Sequence, residues 1–376
     1  MNKLKIEFNS NTGYLTHNYH PYPCKFVPQI PNQIIEQYSK EGDTVLDPFV
    51  GSGTTLTEAS LLNRNGIGID LNPVAVLSTK VKTSVLKNKD KKIVLDILKK
   101  IEFESIKNYN DFLKENFDDS NIPKWDNLDH WFLPFVIKEL SALKNIITKI
   151  NNTKVRNFLL LGFSNVIIPI SNQDSETRYV AVSKQIKKMD LFVLFIKKIN
   201  SMLKRNDDYA LQRSNSKIKV YHDDARKLSK VDDKSVNLIL TSPPYLNTFD
   251  YYLYHKSRIH WLGFEPSEVR KSEIGCHHTA NKFDIGYPKY MNALSSIFSE
   301  FNRVLTDNGH IFIVIGDAML ESIRVNALSV VEELAKENNF KIISVTDQKL
   351  KTSTRSFNVK FSASEKKEYM IVLTKQ

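Results

Sequence analysis

At 376 residues with 41% hydrophobic content, the chain can hold one large α/β domain with insertions or two domains, and a largely disordered chain is excluded. The 53 lysines and arginines outnumber the 42 aspartates and glutamates, and the resulting net charge of +11 suits a polyanionic partner without demanding one. Two distant cysteines, Cys24 and Cys276, exclude a disulfide framework, and with no apolar run of membrane-spanning length and no apolar h-region after Met1, a soluble cytoplasmic protein is expected.

The first informative stretch runs from His20 to Pro28. Prolines at 21, 23, 28 and 31 favour an extended, turn-rich path, and Gln33 to Tyr38 is expected to form a short helix. Asp43 to Thr55 then reads strand, glycine loop, helix, with Asp47 at the strand end and Gly51 and Gly53 in the loop. Glycines there permit positive φ and close approach of the backbone to a ligand, and the helix that follows offers unpaired N–H groups. No Gly-Lys-Ser/Thr follows, so this is not a phosphate-binding P-loop. Gly66 to Asp70 reads as a second strand ending in an acid, placed to accept hydrogen bonds from ribose hydroxyls. Asp47 supplies negative charge where a polyphosphate site wants none. A nucleoside with a cationic, amino-acid-bearing centre fits better, and S-adenosylmethionine has those features.

From Asn72 to about Asn215 the pattern is helical, in an insertion far longer than an ordinary connection within a sheet. Lys80 to Lys100 is basic, with Val94, Leu98 and Ile101 on one face; Val136, Leu140, Leu143, Ile147 and Ile150 keep helical spacing, as do Ile186, Met189, Val193, Ile196 and Leu203, and Phe158 to Leu161 lies in a nearly all-apolar helix. Lys184, Lys187, Lys188, Lys197, Lys198, Lys204 and Arg205 suggest a basic face open to nucleic acid. The polar stretch from Ser171 to Tyr179 reads as a surface loop; the alternative sends Arg178 and Tyr179 into the substrate cleft.

The sheet resumes with Lys217 to Tyr221, followed by Asp223 and Asp224, where an acid can accept from a nucleoside amino group. Val236 to Leu240 has the composition of a buried parallel strand, and it ends in Ser242-Pro243-Pro244-Tyr245. Two prolines cannot continue a hydrogen-bonded ladder, so the strand stops in a stiff corner facing the crevice where α/β sheets bind ligands. Leu246 to Tyr252 and His255 to Trp261 read as a polar, aromatic loop or short helix forming a lip. Cys276, His277 and His278 are adjacent, a spacing that rarely converges on one ion, so no metal site is expected. A helix through Tyr290, Leu294, Ile297, Phe301 and Val304 is expected to stop at Asn308-Gly309; then come a strand from His310 to Ile315, a helix from Ala327 to Glu337, and strands from Phe340 to Val345 and Glu368 to Thr374.

Together, Asp47-Pro-Phe-Val-Gly-Ser-Gly53, Ser242-Pro-Pro-Tyr245 and the His20 to Pro28 block resemble the motifs of the bacterial DNA amino-methyltransferases. The resemblance covers roughly residues 17 to 90 and 215 to 376. It implies a Rossmann-like sheet, mostly parallel with an antiparallel last strand, carrying a large helical insertion. The catalytic domain would comprise 1–90 and 215–376, and 91–214 would be the insertion, a candidate for DNA contact or target recognition. S-adenosylmethionine would be the cofactor, held by Phe26, Asp47, Phe49, Gly51, Gly53, Asp70 at the ribose and Asp224 at the adenine. Ser242, Pro243, Pro244 and Tyr245 would hold a base flipped from double-stranded DNA.

An exocyclic amino nitrogen is a poor nucleophile but needs only alignment with an electrophilic methyl group. Ser242 Oγ and the Pro243 carbonyl can accept its two hydrogens while Tyr245 stacks on the base. Serine before Pro-Pro-Tyr resembles the N4-cytosine enzymes more than the N6-adenine ones, and both stay open. The resemblance also implies a cognate restriction endonuclease as partner and a place at the nucleoid. The rival readings are an RNA methyltransferase on the same fold and a catalytically silent nucleic-acid-binding subunit.

Overall fold

In the computed structural model, which describes residues 4–277, 282–349 and 366–376, the first elements are α1 (Gln29–Tyr38), β1 (Thr44–Asp47), α2 (Thr54–Leu61), β2 (Asn65–Asp70) and α3 (Pro73–Lys82). A helical stretch follows with α4 (Asn88–Lys107), α5 (Tyr109–Asn116), α6 (Leu128–Trp131), α7 (Pro134–Thr148) and α8 (Thr153–Ile167), then a hairpin of β3 (Gln173–Ser175) and β4 (Arg178–Ala181), and α9 (Asp190–Gln212). The sheet resumes with β5 (Ile218–His222) and β6 (Val236–Thr241), followed by α10 (Tyr251–Trp261), α11 (Pro266–Ser272) and α12 (Phe283–Val304). The last elements are β7 (Leu305–Gly316), a short hairpin of β8 (Ala318–Leu320) and β9 (Ile323–Val325), α13 (Ala327–Glu337), β10 (Phe340–Lys349) and β11 (Lys367–Lys375).

Seven strands form one sheet in the order β10-β11-β7-β6-β1-β2-β5. β5, β2, β1, β6 and β7 run parallel, and β11 lies antiparallel between β7 and β10. The central strands are apolar at successive positions because both faces are covered. Leu46, Ile239, Ile311, Ile313 and Ile371 face α12 and α13, whereas Val45, Leu238, Leu240, Phe312 and Val372 face α1 and the Ala59 side of α2. The side-chain period of two along each strand divides these residues between the layers. α13 starts where the Asn326 side chain accepts from the Ser329 amide, and buries Val330, Val331 and Leu334 at helical spacing.

α4, α7, α8 and α9 enclose a separate core that includes Val94, Leu98, Leu140, Phe158, Phe163, Phe195 and Ile199. Tyr19, Val81 and Trp261 join this core from outside the helical stretch. The core thus reaches α3, which Asn72 of the cavity described below caps, and α10, which carries Tyr251 of the same cavity.

Several expectations are corrected in detail. α1 begins at Gln29 rather than Gln33, with Pro28 at its cap and Pro31 in the first turn, where the missing N–H has no intrahelical partner to lose. The basic stretch from Lys80 to Lys100 is two helices separated by Thr83 to Lys87. The pattern begun at Ile186 does not start a helix, since Met189 is left-handed (φ 77°) and α9 begins at Asp190. Val193 is 60% exposed, and Leu191, Phe192, Phe195 and Ile199 make the buried face instead.

The stretch from Ser171 to Tyr179 contains a hairpin rather than only a loop. Tyr179 packs on Trp131 (ring centroids 4.4 Å apart), and Arg178 is exposed beside Asp174 (3.8 Å). Residues 251–261 form a largely buried helix, not a polar lip, with His255, Arg258 and Trp261 inside. α12 stops at Val304, and Asn308-Gly309 lie within β7, where the pairing with β6 is irregular.

Candidate active site

The carboxyl ends of β1, β2, β5 and β6 open onto one cavity. Phe26, Asp47, Phe49, Gly51, Asp70, Asp224, Ser242 and Pro244 all line it, so segments separated by most of the chain meet there. Pro243, Tyr245 and Gly53 are not on its wall. Pro243 is buried, and Tyr245, next to the cavity-lining Pro244 in the chain, donates its hydroxyl to Glu368 Oε1 at 2.8 Å. Tyr290 donates to the Pro244 carbonyl at 3.0 Å, which fixes the proline corner against α12.

Asp47 ties three elements together. Its Oδ1 accepts from Thr241 Oγ1 (2.9 Å) and the Phe49 amide (3.1 Å), and its Oδ2 accepts from Thr55 Oγ1 (2.7 Å). The end of β1 is thereby joined to β6 and to α2. Burial pushes the Asp47 carboxyl up to about 6, against the pull of these donors.

Asp70 holds the glycine loop. Its Oδ2 accepts from the Gly51 amide and its Oδ1 from the Asn72 amide, both at 2.8 Å, while the Val50 amide donates to the Ile69 carbonyl at 2.9 Å. Burial pushes this carboxyl to about 6 as well, opposed by backbone amides. The sequence suggests Asp70 as a ribose ligand; the fold also makes it the strut of the loop. Gly53, with φ of 81°, caps α2, and a Cβ there would lie 2.7 Å from Thr79 Oγ1. Its glycine serves the packing of α2 on α3.

Asp224 accepts from the Arg226 amide (2.9 Å) and from its guanidinium (Nη2 at 2.5 Å). Burial works against ionisation here, but the Arg226 contacts prevail and hold the carboxyl below its ordinary range.

Tyr22, Cys24, Thr55, Tyr251 and Glu273 also line the cavity and were not singled out from the sequence. Tyr22 lies against Gly51, where an added Cβ would come within 3.3 Å of its ring, and stacks on Tyr251 (centroids 6.2 Å apart). Glu273 Oε1 accepts from the Tyr251 amide at 2.6 Å, while its Oε2 is buried without a partner among the described residues. Burial pushes the Glu273 carboxyl up to about 8, against the Tyr251 and Tyr252 amides.

This shift sets a testable pH dependence. The folded protein keeps a proton on Glu273 that the unfolded chain releases near 4.5, so the stabilisation is complete below that pH and is lost as pH rises towards 8. Asp47 and Asp70 contribute in the same sense, but only up to about 6. The melting temperature of the ligand-free protein is therefore expected to fall between pH 6 and 8, and Glu273→Gln to flatten that fall. An unchanged slope in the variant would show that another group titrates.

Of the proposed basic face, Lys184 donates to the Ile168 carbonyl (3.0 Å), Lys198 to Asn18 (3.4 Å) and Arg205 to Gly13 (2.6 Å) and Leu15 (3.0 Å). Those three fasten the chain to itself, whereas Lys187, Lys188, Lys197 and Lys204 are exposed. Cys276 is buried, His277 pairs with Asn247 (Nδ1 to Oδ1, 2.5 Å), and His278 lies outside the described residues. Among the described residues, no helix is long and apolar enough to cross a membrane.

Residues 4–80 and 236–376 match the family described as DNA methylase, covering more than half of the chain. The chain belongs to the DNA methylase family. This DNA methylase is 28% identical over 280 residues to the type II methyltransferase M.MvaI of Kocuria varians, covering 70% of this chain and 61% of that protein. It is 24% identical to M.BsoBI of Geobacillus stearothermophilus (82% of this chain, 65% of that protein) and 22% identical to M.MjaII of Methanocaldococcus jannaschii (80% and 72%). The DNA methylase thus spans less than two thirds of the length of the first two relatives.

The methyl donor that membership in this methylase family implies is S-adenosylmethionine. The cavity of this DNA methylase fits such a group. Its wall carries Asp47, Asp70, Asp223, Asp224 and Glu273 against Lys25, and Glu273 Oε2 is buried without a partner among the described residues. A sulfonium and an ammonium group suit so acidic a wall, and the donors of the ligand suit the open carboxylate oxygen.

Proposed function

We propose that the chain transfers methyl groups from S-adenosylmethionine to the exocyclic amino nitrogen of a base turned out of double-stranded DNA, with N4 of cytosine favoured over N6 of adenine. The observation that carries this reading is that Ser242 and Pro244 open onto the same cavity as the Asp47 and Asp70 loop, in a chain of the DNA methylase family.

Phe26, Phe49, Gly51, Asp70 and Asp224 would hold the cofactor. When bound, it would supply an electrophilic methyl group, the S–CH3 bond breaking to leave S-adenosylhomocysteine as the N–CH3 bond forms and the proton lost from the amino nitrogen passing to solvent. The protein's task is alignment. Ser242 Oγ and the Pro243 carbonyl accept the two amino hydrogens, which turns the nitrogen lone pair towards the donor. Tyr245, held beside the cavity, flanks the base. Taking the base out of its stack costs a few kcal/mol, and these contacts offset that cost.

Residues 1–90 and 215–376 form the catalytic unit in this reading, and 91–214, with Lys187, Lys188, Lys197 and Lys204 exposed, contact DNA. A cognate restriction endonuclease recognising the same sequence is the expected partner, and the cytoplasm the expected location. The reading is tested by base-resolved mapping of methylation in DNA from cells expressing the chain. N4-methylcytosine at one recurring sequence is expected, with Ser242→Ala lowering transfer about a hundredfold. N6-methyladenine would overturn the choice of base, and unmodified DNA the reading itself.

A further inference from the structure

The Tyr245 hydroxyl is committed before any base arrives. It donates to Glu368 Oε1 at 2.8 Å, and Glu368 is fixed in turn because its Oε2 accepts from Gln348 Nε2 at 2.8 Å. Glu368 stands directly opposite Gly316 in the β7–β11 pair, and Gly316 forms the floor under the same ring. A Cβ on Gly316 would lie 2.8 Å from Tyr245 Cε2, so only glycine lets the ring rest there. One cross-strand pair therefore supplies both the seat of the tyrosine and the clamp on its hydroxyl.

Ser242 and Pro244, which precede Tyr245 in the same corner, line the cavity, so whatever fixes the tyrosine also steadies the corner that would meet a base.

We propose that Glu368 is a positioning residue for methyl transfer, acting through the Tyr245 hydroxyl to hold the tyrosine ring, and with it the corner that carries Ser242, in place for the target base. The inference rests on the methyltransferase reading and adds to it a residue that never touches the base or the cofactor. It also gives the Tyr245 hydroxyl, which stacking does not use, a separate purpose.

The test measures single-turnover transfer of labelled methyl to DNA at saturating cofactor, alongside affinity for S-adenosylhomocysteine and the melting temperature. Glu368→Ala is expected to slow transfer roughly tenfold or more, the effect of losing a hydrogen bond to a charged group, with cofactor affinity within about twofold of wild type. Glu368→Gln, whose amide oxygen still accepts from the tyrosine, should recover most of the rate. Tyr245→Phe keeps the ring and cuts the chain of hydrogen bonds, so it should match Glu368→Ala, and the double variant should be no slower than either single one. Full additivity of the two losses, or normal transfer by Tyr245→Phe, overturns the proposal. Should Glu368→Ala fail to fold, Tyr245→Phe decides alone. No transfer by the wild-type protein would instead sink the methyltransferase reading, so the two failures are distinct.

Discussion

Asp70→Ala is expected to weaken S-adenosylhomocysteine binding at least about a hundredfold in a calorimetric titration. The change removes more than a ligand-facing carboxylate. Both of its oxygens hold backbone amides, those of Gly51 and Asn72, each at 2.8 Å. Leaving a buried amide without an acceptor costs about 1–3 kcal/mol, so the loop that shapes the cavity loses its reason to adopt this path. The loss also reaches α3, because Asn72 caps that helix by accepting from the Val74 amide. Asp70→Asn keeps one acceptor but turns an amide donor towards a second N–H, and an intermediate loss is expected. An affinity unchanged in Asp70→Ala would mean that the loop is held by its glycines alone and that Asp70 has no part in the site.

Gly53→Ala is expected to lower the melting temperature by several degrees and to abolish cofactor binding with it. Two costs coincide at this position. Gly53 has a φ of 81°, where an L-residue costs about 1–2 kcal/mol, and the new Cβ would stand 3.0 Å from the Thr79 Cα, which is backbone that cannot turn away. Gly42 separates the two effects. Its φ is 85° but nothing lies within 4 Å of the added carbon, so Gly42→Ala should pay the conformational cost alone. If the two variants melt together, the contact between α2 and α3 does not matter and the prediction for Gly53 is wrong.

How far the site can be read from the sequence depends on how local each part is. Asp47, Asp70 and Ser242 are legible because each lies at or just past a strand end, and parallel topology gathers strand ends on one side. Glu273, Tyr22 and Tyr251 carry no such local sign. Glu273 follows an exposed, charged helix, and only its burial in the folded protein raises its carboxyl. In the sequence Glu368 marks only the start of a strand, and its meaning appears once β11 is placed beside β7.

In the helical stretch the apolar periodicities give α4, α7 and α8 but misplace α9, since Val193 is apolar and exposed while the left-handed Met189 sets the start. Charge misleads in a similar way. Lys198 and Arg205 look like a nucleic-acid face, yet their hydrogen bonds go to carbonyls of residues 13–18, contacts that no local pattern announces.

β11 enters the sheet between two strands that precede it in the chain. During synthesis β7 and β10 therefore leave the ribosome with a gap between them that nothing fills until residues 367–375 have emerged. Until then the strand edges facing the gap are unpaired, and Glu368 is not yet opposite Gly316. The half of the sheet that would hold the cofactor can form early, whereas the support for Tyr245 arrives with the last strand. In a nascent chain the wall around Asp47 and Asp70 could thus take shape before the seat of Tyr245 exists, so the two halves of the cavity's surroundings would be completed in that order.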